Sequence, residues 1–230
     1  MDVKTGASKA MKETYYSPEN ITEQAKALLH CTHRSRRRND FAVPRSALLV
    51  LDMQRFFLEE SSHAFIPSAP AILPNIERLV QVFAARRMPV FFTRHVNTAE
   101  NAAQMAVWWQ EIIQENHPMS ELYPGLPVSS AEVIKKSQYD AFYKTTLEDR
   151  LHDQQVRQVV ICGVMAHLCC ETTARSAFMR GFQVFFTVDG TATYNLDFHC
   201  STLLNLSHGF AVPVLVDELL VRFREAQKDA

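Results

Sequence analysis

Asp52, Lys136 and Cys169 are the residues of this chain whose types, taken together, could do covalent chemistry: a carboxylate to move a proton, a cation to hold charge and a thiol to attack. A thiol is a modest nucleophile at neutral pH, with an ordinary pKa of about 8.5, but a helix N-terminus or a nearby cation favours its thiolate. Cys169 is placed to have both. It opens the helical stretch Glu171-Thr172-Thr173-Ala174-Arg175-Ser176-Ala177-Phe178, so its sulfur faces the positive end of a helix dipole, and Lys136 could add an ammonium. Asp52 could then take the thiol proton and return it to a leaving amine, while backbone N–H groups at the turn hold an oxyanion. Residue type alone leaves Cys169 and Cys170 both open as nucleophile, since adjacent helical residues simply point about 100° apart.

Such a set needs a scaffold that brings distant segments together. From Ala47 onward, short apolar runs alternate with helical stretches, the pattern of buried parallel strands joined by crossover helices. Strands are predicted at 47–51, 89–93, 133–136, 159–162, 183–188 and 212–216, and helices at 74–87, 99–116, 146–154, 169–180, 198–208 and 217–227. This is a Rossmann-like, three-layer α/β/α architecture on a mostly parallel six-stranded sheet. In open parallel sheets ligands bind beyond the carboxyl ends of the strands, where Asp52, Lys136 and Cys169 all fall. Upstream, Ser17-Pro18-Glu19 marks a helix start. Residues 1–40 are therefore expected to form an extension with one helix, 18–31, ahead of a catalytic domain over 41–230.

Composition narrows the function classes. The chain has 230 residues, 47% of them hydrophobic, enough for one sizeable core. A net charge of -1 gives no field of one sign to attract nucleic acid or a membrane surface, and Arg34-Ser35-Arg36-Arg37-Arg38 reads as a solvated linker because no basic face extends it. With no secretory h-region and no membrane-length apolar run, the chain is expected to be soluble. Cys31, Cys162, Cys169, Cys170 and Cys200 form an odd set without a disulfide framework, which points to a reducing cytoplasm. The six glycines contain no dinucleotide or phosphate-loop pattern, and neither Cys-x-x-Cys nor His-x-x-x-His spacing occurs, so no cofactor and no metal are expected.

Three motifs give the chain a likeness. Leu48-Leu49-Val50-Leu51-Asp52-Met53-Gln54, Lys136-Ser137-Gln138-Tyr139-Asp140-Ala141-Phe142 and Gly163-Val164-Met165-Ala166-His167-Leu168-Cys169 occur in that order, each at the end of a predicted strand. Together they resemble the signatures of the isochorismatase-like cysteine hydrolases, over roughly residues 47–220. The resemblance selects Lys136 over Lys135 and Cys169 over Cys170. It implies that Asp52 is the acid/base, that Lys136 keeps Asp52 and Cys169 ionised and oriented, and that Cys169 attacks a carbonyl to form a thioester. It further implies a cis peptide between Val164 and Met165 that aims the Met165 and Cys169 amides at the oxyanion.

The likeness also bounds the alternatives. Ether-cleaving isochorismatases resemble this chain in Met165-Ala166-His167 but carry glycine where Cys169 stands, so C–N hydrolysis of a small amide, ureide or carbamoyl compound is expected ahead of vinyl ether cleavage. A noncatalytic or thiol-redox-sensing protein on the same fold is a third reading. Nicotinamidases of the family bind a metal near an Asp-Trp-His-Pro stretch; the matching place here is Phe92-Thr93-Arg94-His95-Val96, with His95 a pocket or structural residue. Phe57, Trp108, Trp109, Tyr139, Phe142 and His167 are candidates for an apolar substrate pocket, and His199-Cys200 for a helix face without a catalytic role. The family implies a homodimer or homotetramer acting on a small molecule.

Overall fold

A computed structural model describes residues 11–30, 32 and 41–228. Cys31, the arginine run 34–38 and the first ten residues lie outside the described residues.

The six predicted strands all form: β1 (Ser46–Leu51), β2 (Val90–His95), β3 (Glu132–Lys136), β4 (Gln158–Val164), β5 (Gln183–Ala192) and β6 (Val212–Val214). They make one sheet in the order β3-β2-β1-β4-β5-β6, with every pairing parallel. β1, β2 and β4 are buried along their whole length, as strands covered on both faces must be, which is why they read as unbroken apolar runs. The helices are α1 (Ile21–His30), α2 (Arg55–Leu58), α3 (Ala69–Ala85), α4 (Met105–Trp108), α5 (Leu147–Asp153), α6 (Glu171–Met179), α7 (Leu196–Gly209) and α8 (Val216–Lys228). α3 packs on α8, with Phe83 against Phe223 at 4.9 Å between ring centroids, and α6 packs with α7. These layers flank the sheet and give the α/β/α architecture read from the sequence.

Two features aim the carboxyl ends of the central strands. Gly163 has φ +111, and a Cβ there would stand 2.1 Å from the Leu51 carbonyl oxygen, so only glycine lets β4 pass β1 at this point. β4 also shifts register against β5 between Ile161 and Gly163. Directly after β1, Asp52 has φ 50, a left-handed conformation that Asp tolerates better than most residues.

The helix expected over 99–116 does not form: only α4 is helical there. Tertiary contacts take the rest of the segment elsewhere. The Ile113 carbonyl accepts from the Asn97 amide, the Ile113 side chain joins Phe56 and Ala64 in a small apolar cluster, and the Trp109 indole donates to the Tyr139 hydroxyl at 2.7 Å. Local helical periodicity is a weak prior that such contacts override.

Residues 11–30 are bound into the core. Tyr16 is buried and donates to the Val188 carbonyl, while the Tyr15 hydroxyl accepts from the Thr193 amide and meets His199 Nδ1 at 2.9 Å. His199, read from sequence as a helix-face residue, is fully buried between Tyr15 and Thr191.

Candidate active site

Asp52, Lys136 and Cys169, separated by up to 117 positions, meet beyond the carboxyl ends of β1, β3 and β4. Lys136 Nζ lies 2.8 Å from Asp52 Oδ2 and 3.4 Å from Cys169 Sγ. The other carboxylate oxygen, Oδ1, accepts from the Thr93 hydroxyl at 2.6 Å, and the same hydroxyl accepts from the Asp52 amide at 3.0 Å, so the carboxylate is held from β2. Lys136 also donates to the carbonyls of Gln138 at 2.9 Å and Tyr139 at 3.3 Å, and points toward His95 Nδ1 at 3.4 Å.

The ion pair is fully buried. Burial pushes the Asp52 carboxyl up, but the Lys136 ammonium, helped by His95 and by hydrogen bonding to Cys169, outweighs it and leaves Asp52 below the usual carboxylate range. Burial likewise pulls Lys136 down, and the Asp52 carboxylate and Cys169 raise it above an ordinary lysine. For Cys169 the balance runs the other way: burial first, then the Asp52 charge, raise the thiol against the pull of Lys136. Cys169 lies within a single π-turn, Ala166–Cys170, ahead of α6, where burial opposes the pull toward thiolate and the Asp52 carboxylate is at hand to take the thiol proton.

Cys169 faces a cavity of about 260 Å³, walled by Phe56, Phe57, Met105, Trp109, Ile112, Ile113, Tyr139, Leu168 and Tyr194, with Met165 and His95 also lining it. Asp52 and Lys136 do not line it; they sit behind the thiol. The Val164–Met165 peptide is cis. At the outer wall, Glu111 pairs with His63 Nδ1 at 3.3 Å and His117 Nε2 at 3.2 Å.

Of the pocket candidates read from sequence, Phe57, Trp109 and Tyr139 line this cavity and three do not. Phe142 is buried in the core, stacked 6.0 Å from Phe182, because its partner in the motif, Tyr139, already takes the cavity side. Trp108 is 78% exposed, since α4 ends there and only its neighbour Trp109 turns inward. His167 stacks on Phe198 and bonds the Thr193 hydroxyl; with Trp108 it borders an adjoining groove that shares Trp109, Tyr139, Leu168 and Tyr194 with the cavity. Thr93, Asn97 and Tyr194 were not foreseen. Thr93 and His95 alternate on β2 beside β1, a pattern legible once that strand is extended from Thr93 to His95. Tyr194 carries no such signal. Among the described residues no three His, Cys, Asp or Glu side chains are arranged to hold a metal ion.

The sequence model of the isochorismatase domain matches residues 46–218. The chain belongs to the isochorismatase family of hydrolases. It is 39% identical over 179 residues to Nicotinamidase 3 of Arabidopsis thaliana, across 76% of this chain and 86% of that protein. It is 29% identical to Enterobactin synthase component B of Escherichia coli (strain K12), across 78% of this chain but only 64% of that protein, so it spans less than two thirds of that relative. Among solved structures it is similar to a cysteine hydrolase from Pseudomonas syringae pv. phaseolicola 1448A, with a TM-score of 0.76, 25% identity and coverage of 82% of this chain and 97% of that one. The family expected from the three motifs is thus the family found, and the isochorismatase fold places those motifs at one end of its sheet.

Proposed function

We propose that this isochorismatase-family protein hydrolyses a C–N bond of a small, uncharged amide, ureide or carbamoyl compound through a thioester on Cys169. The observation that carries the reading is the arrangement of one thiol facing the cavity with the Asp52–Lys136 ion pair behind it. Asp52 takes the thiol proton as Sγ forms a bond to the substrate carbonyl carbon; the oxyanion is held by the Met165 and Cys169 amides. The C–N bond breaks as Asp52 passes the proton to the departing nitrogen. Water then gives a proton to Asp52 and its oxygen to the acyl carbon, the C–S bond breaks, and the returning proton restores the thiol. Lys136 keeps Asp52 ionised at the start of each half-reaction. No metal or cofactor enters the scheme.

The cavity wall supports an uncharged substrate. Its polar side chains include Asn97, Gln110 and Glu111, and no lysine or arginine lines it among the described residues. A dicarboxylate such as isochorismate would find a carboxylate at the wall and no free cation. The same reading makes the protein a cytoplasmic homodimer or homotetramer acting on a small molecule, with neither nucleic acid nor a membrane as partner; no helix of the described residues is long and apolar enough to cross a membrane.

The test is release of ammonia from a panel containing nicotinamide, benzamide, ureides and carbamoyl amino acids, with isochorismate assayed alongside. The expected result is turnover of uncharged amides by the native protein and none by Cys169→Ala. Isochorismate cleavage that survives in Cys169→Ala, with silence on every amide, would move the reaction to ether hydrolysis.

A further inference from the structure

His95 is the last residue of β2 and pairs in register with Lys136, the last residue of β3. Its side chain is 7% exposed, and its Nδ1 lies 3.4 Å from Lys136 Nζ. An ammonium has no lone pair, so at this contact His95 Nδ1 can only accept. The ring proton is then on Nε2, which donates to Asn97 Oδ1 at 2.8 Å. Asn97 is itself fixed, because its Nδ2 donates to the Ser137 carbonyl at 2.9 Å and to Asn101 Oδ1 at 3.3 Å, which leaves Oδ1 for the histidine. The His95 backbone is clamped as well: its amide donates to Gln54 Oε1 at 2.7 Å, and Gln54 Nε2 donates to its carbonyl at 3.0 Å. On a backbone held by Gln54, the bond from Nε2 to Asn97 opposes rotation of the ring away from Lys136.

We propose, building on the thioester reading above, that His95 is a positioning residue: held in one tautomer by Asn97, it presents Nδ1 to Lys136 and keeps the ammonium centred between Asp52 and Cys169. The need for such a device follows from counting. Lys136 has three N–H groups, whereas five acceptors stand within 3.4 Å of its nitrogen: Asp52 Oδ2, Cys169 Sγ, His95 Nδ1 and the carbonyls of Gln138 and Tyr139. A four-carbon stem can satisfy different subsets of these by sliding toward the carbonyls, which would withdraw charge from the thiol. Nδ1 offers an acceptor on the side of β2 without adding charge. Burial, and after it the Lys136 charge, lower the imidazole to about 4, so it stays neutral through the working range and does not repel the ammonium. The charged and titratable groups around it are Lys136, Asp52, Cys169 and Tyr139.

The experiment compares His95→Leu, His95→Asn and Asn97→Ala with the native enzyme, measuring kcat and KM on the amide of the panel turned over fastest. It also follows the pH dependence of Cys169 alkylation by iodoacetamide, and thermal melts report folding. The Oδ1 of an asparagine at 95 can take the place of Nδ1, so His95→Asn is the conservative variant. His95→Leu is expected to lose about 100-fold in kcat with KM within about threefold, the scale on which small displacements of a catalytic group act. Its alkylation profile is expected to shift to higher pH, as the thiol loses a centred cation. His95→Asn is expected to recover most of kcat and the native profile, and Asn97→Ala to lose about tenfold in kcat at unchanged KM. Native kcat and an unmoved alkylation profile in His95→Leu would overturn the proposal, as would equal losses in His95→Leu and His95→Asn. Should His95→Leu fail to melt cooperatively, native kcat in Asn97→Ala overturns it alone. Activity surviving in Cys169→Ala would sink the thioester reading itself, whereas an inactive Cys169→Ala beside a fully active His95→Leu sinks only this inference.

Discussion

Thr93 shows how much of the site's chemistry rests on a residue that never meets the cavity. Its hydroxyl donates to Asp52 Oδ1 and accepts from the Asp52 amide, so one side chain fixes both the carboxylate and the left-handed backbone that aims it. Thr93→Val keeps the volume and removes both bonds. It is expected to lower kcat about tenfold at unchanged KM and to destabilise the fold by roughly 1–3 kcal/mol, the scale for a buried polar group left unsatisfied. Steady-state kinetics with a urea titration checks both; native kcat would mean the carboxylate is held by Lys136 alone. The three chemical residues were legible in the sequence because each ends an apolar run, a local signal. The parts played by Thr93 and Asn97 were not legible, and His95 read only as a pocket or structural residue, because what they do depends on which strand lies beside which, and that order is set by packing over the whole sheet. Nor does sequence spacing show the burial of Cys169, which raises its thiol against the pull of Lys136.

At the scale of elements, the sheet was readable and one connection was not. The strands of a doubly covered parallel sheet announce themselves as apolar runs, and all six predicted strands are present within a few residues. The segment 99–116 has helical spacing but serves as cavity wall, with Trp109 tied to Tyr139 and Ile113 to a satellite cluster. The N-terminal segment behaves in the opposite way, looking like an appendage in sequence and acting as a strap. Glu13 donates its amide to the Tyr194 carbonyl, and the Tyr15 hydroxyl serves the Thr193 amide and His199, on either side of a cavity-lining tyrosine. Tyr15→Phe strands a buried N–H and is expected to cost about 2 kcal/mol in a denaturant titration. Because the backbone beside Tyr194 loses one of its anchors, the Thr193 amide bond, KM should rise several-fold with kcat nearly unchanged. A stability loss with native KM would show that the strap holds the fold and not the wall.

For the molecule as a whole, buried ionisable groups set how stability follows pH. Burial lowers His95 and His167 to about 4 and His199 to about 3. Unfolded imidazoles titrate near 6.5, so below that pH the unfolded chain binds protons that the folded one refuses, and stability falls as acid is added. Asp189 has the opposite sign. Burial, against the pull of the Val216 amide, raises it to about 6, so its contribution is fully present below about pH 4 and is lost as pH rises through 6. Asp189→Asn keeps an acceptor for the Val216 amide, now at 2.8 Å, and should melt higher than the native protein at pH 8, with the difference closing below about pH 4. A difference that did not vary with pH would contradict the assignment.

The central claim is a covalent bond to one sulfur, so the most direct measurement is to quench the reaction with the fastest amide during steady turnover and weigh the peptide carrying Cys169. The account predicts an added acyl mass on that peptide in the native protein, with ammonia released in step, and neither the adduct nor the ammonia in Cys169→Ala. Continued turnover of the same amide once Cys169 is alanine would contradict it.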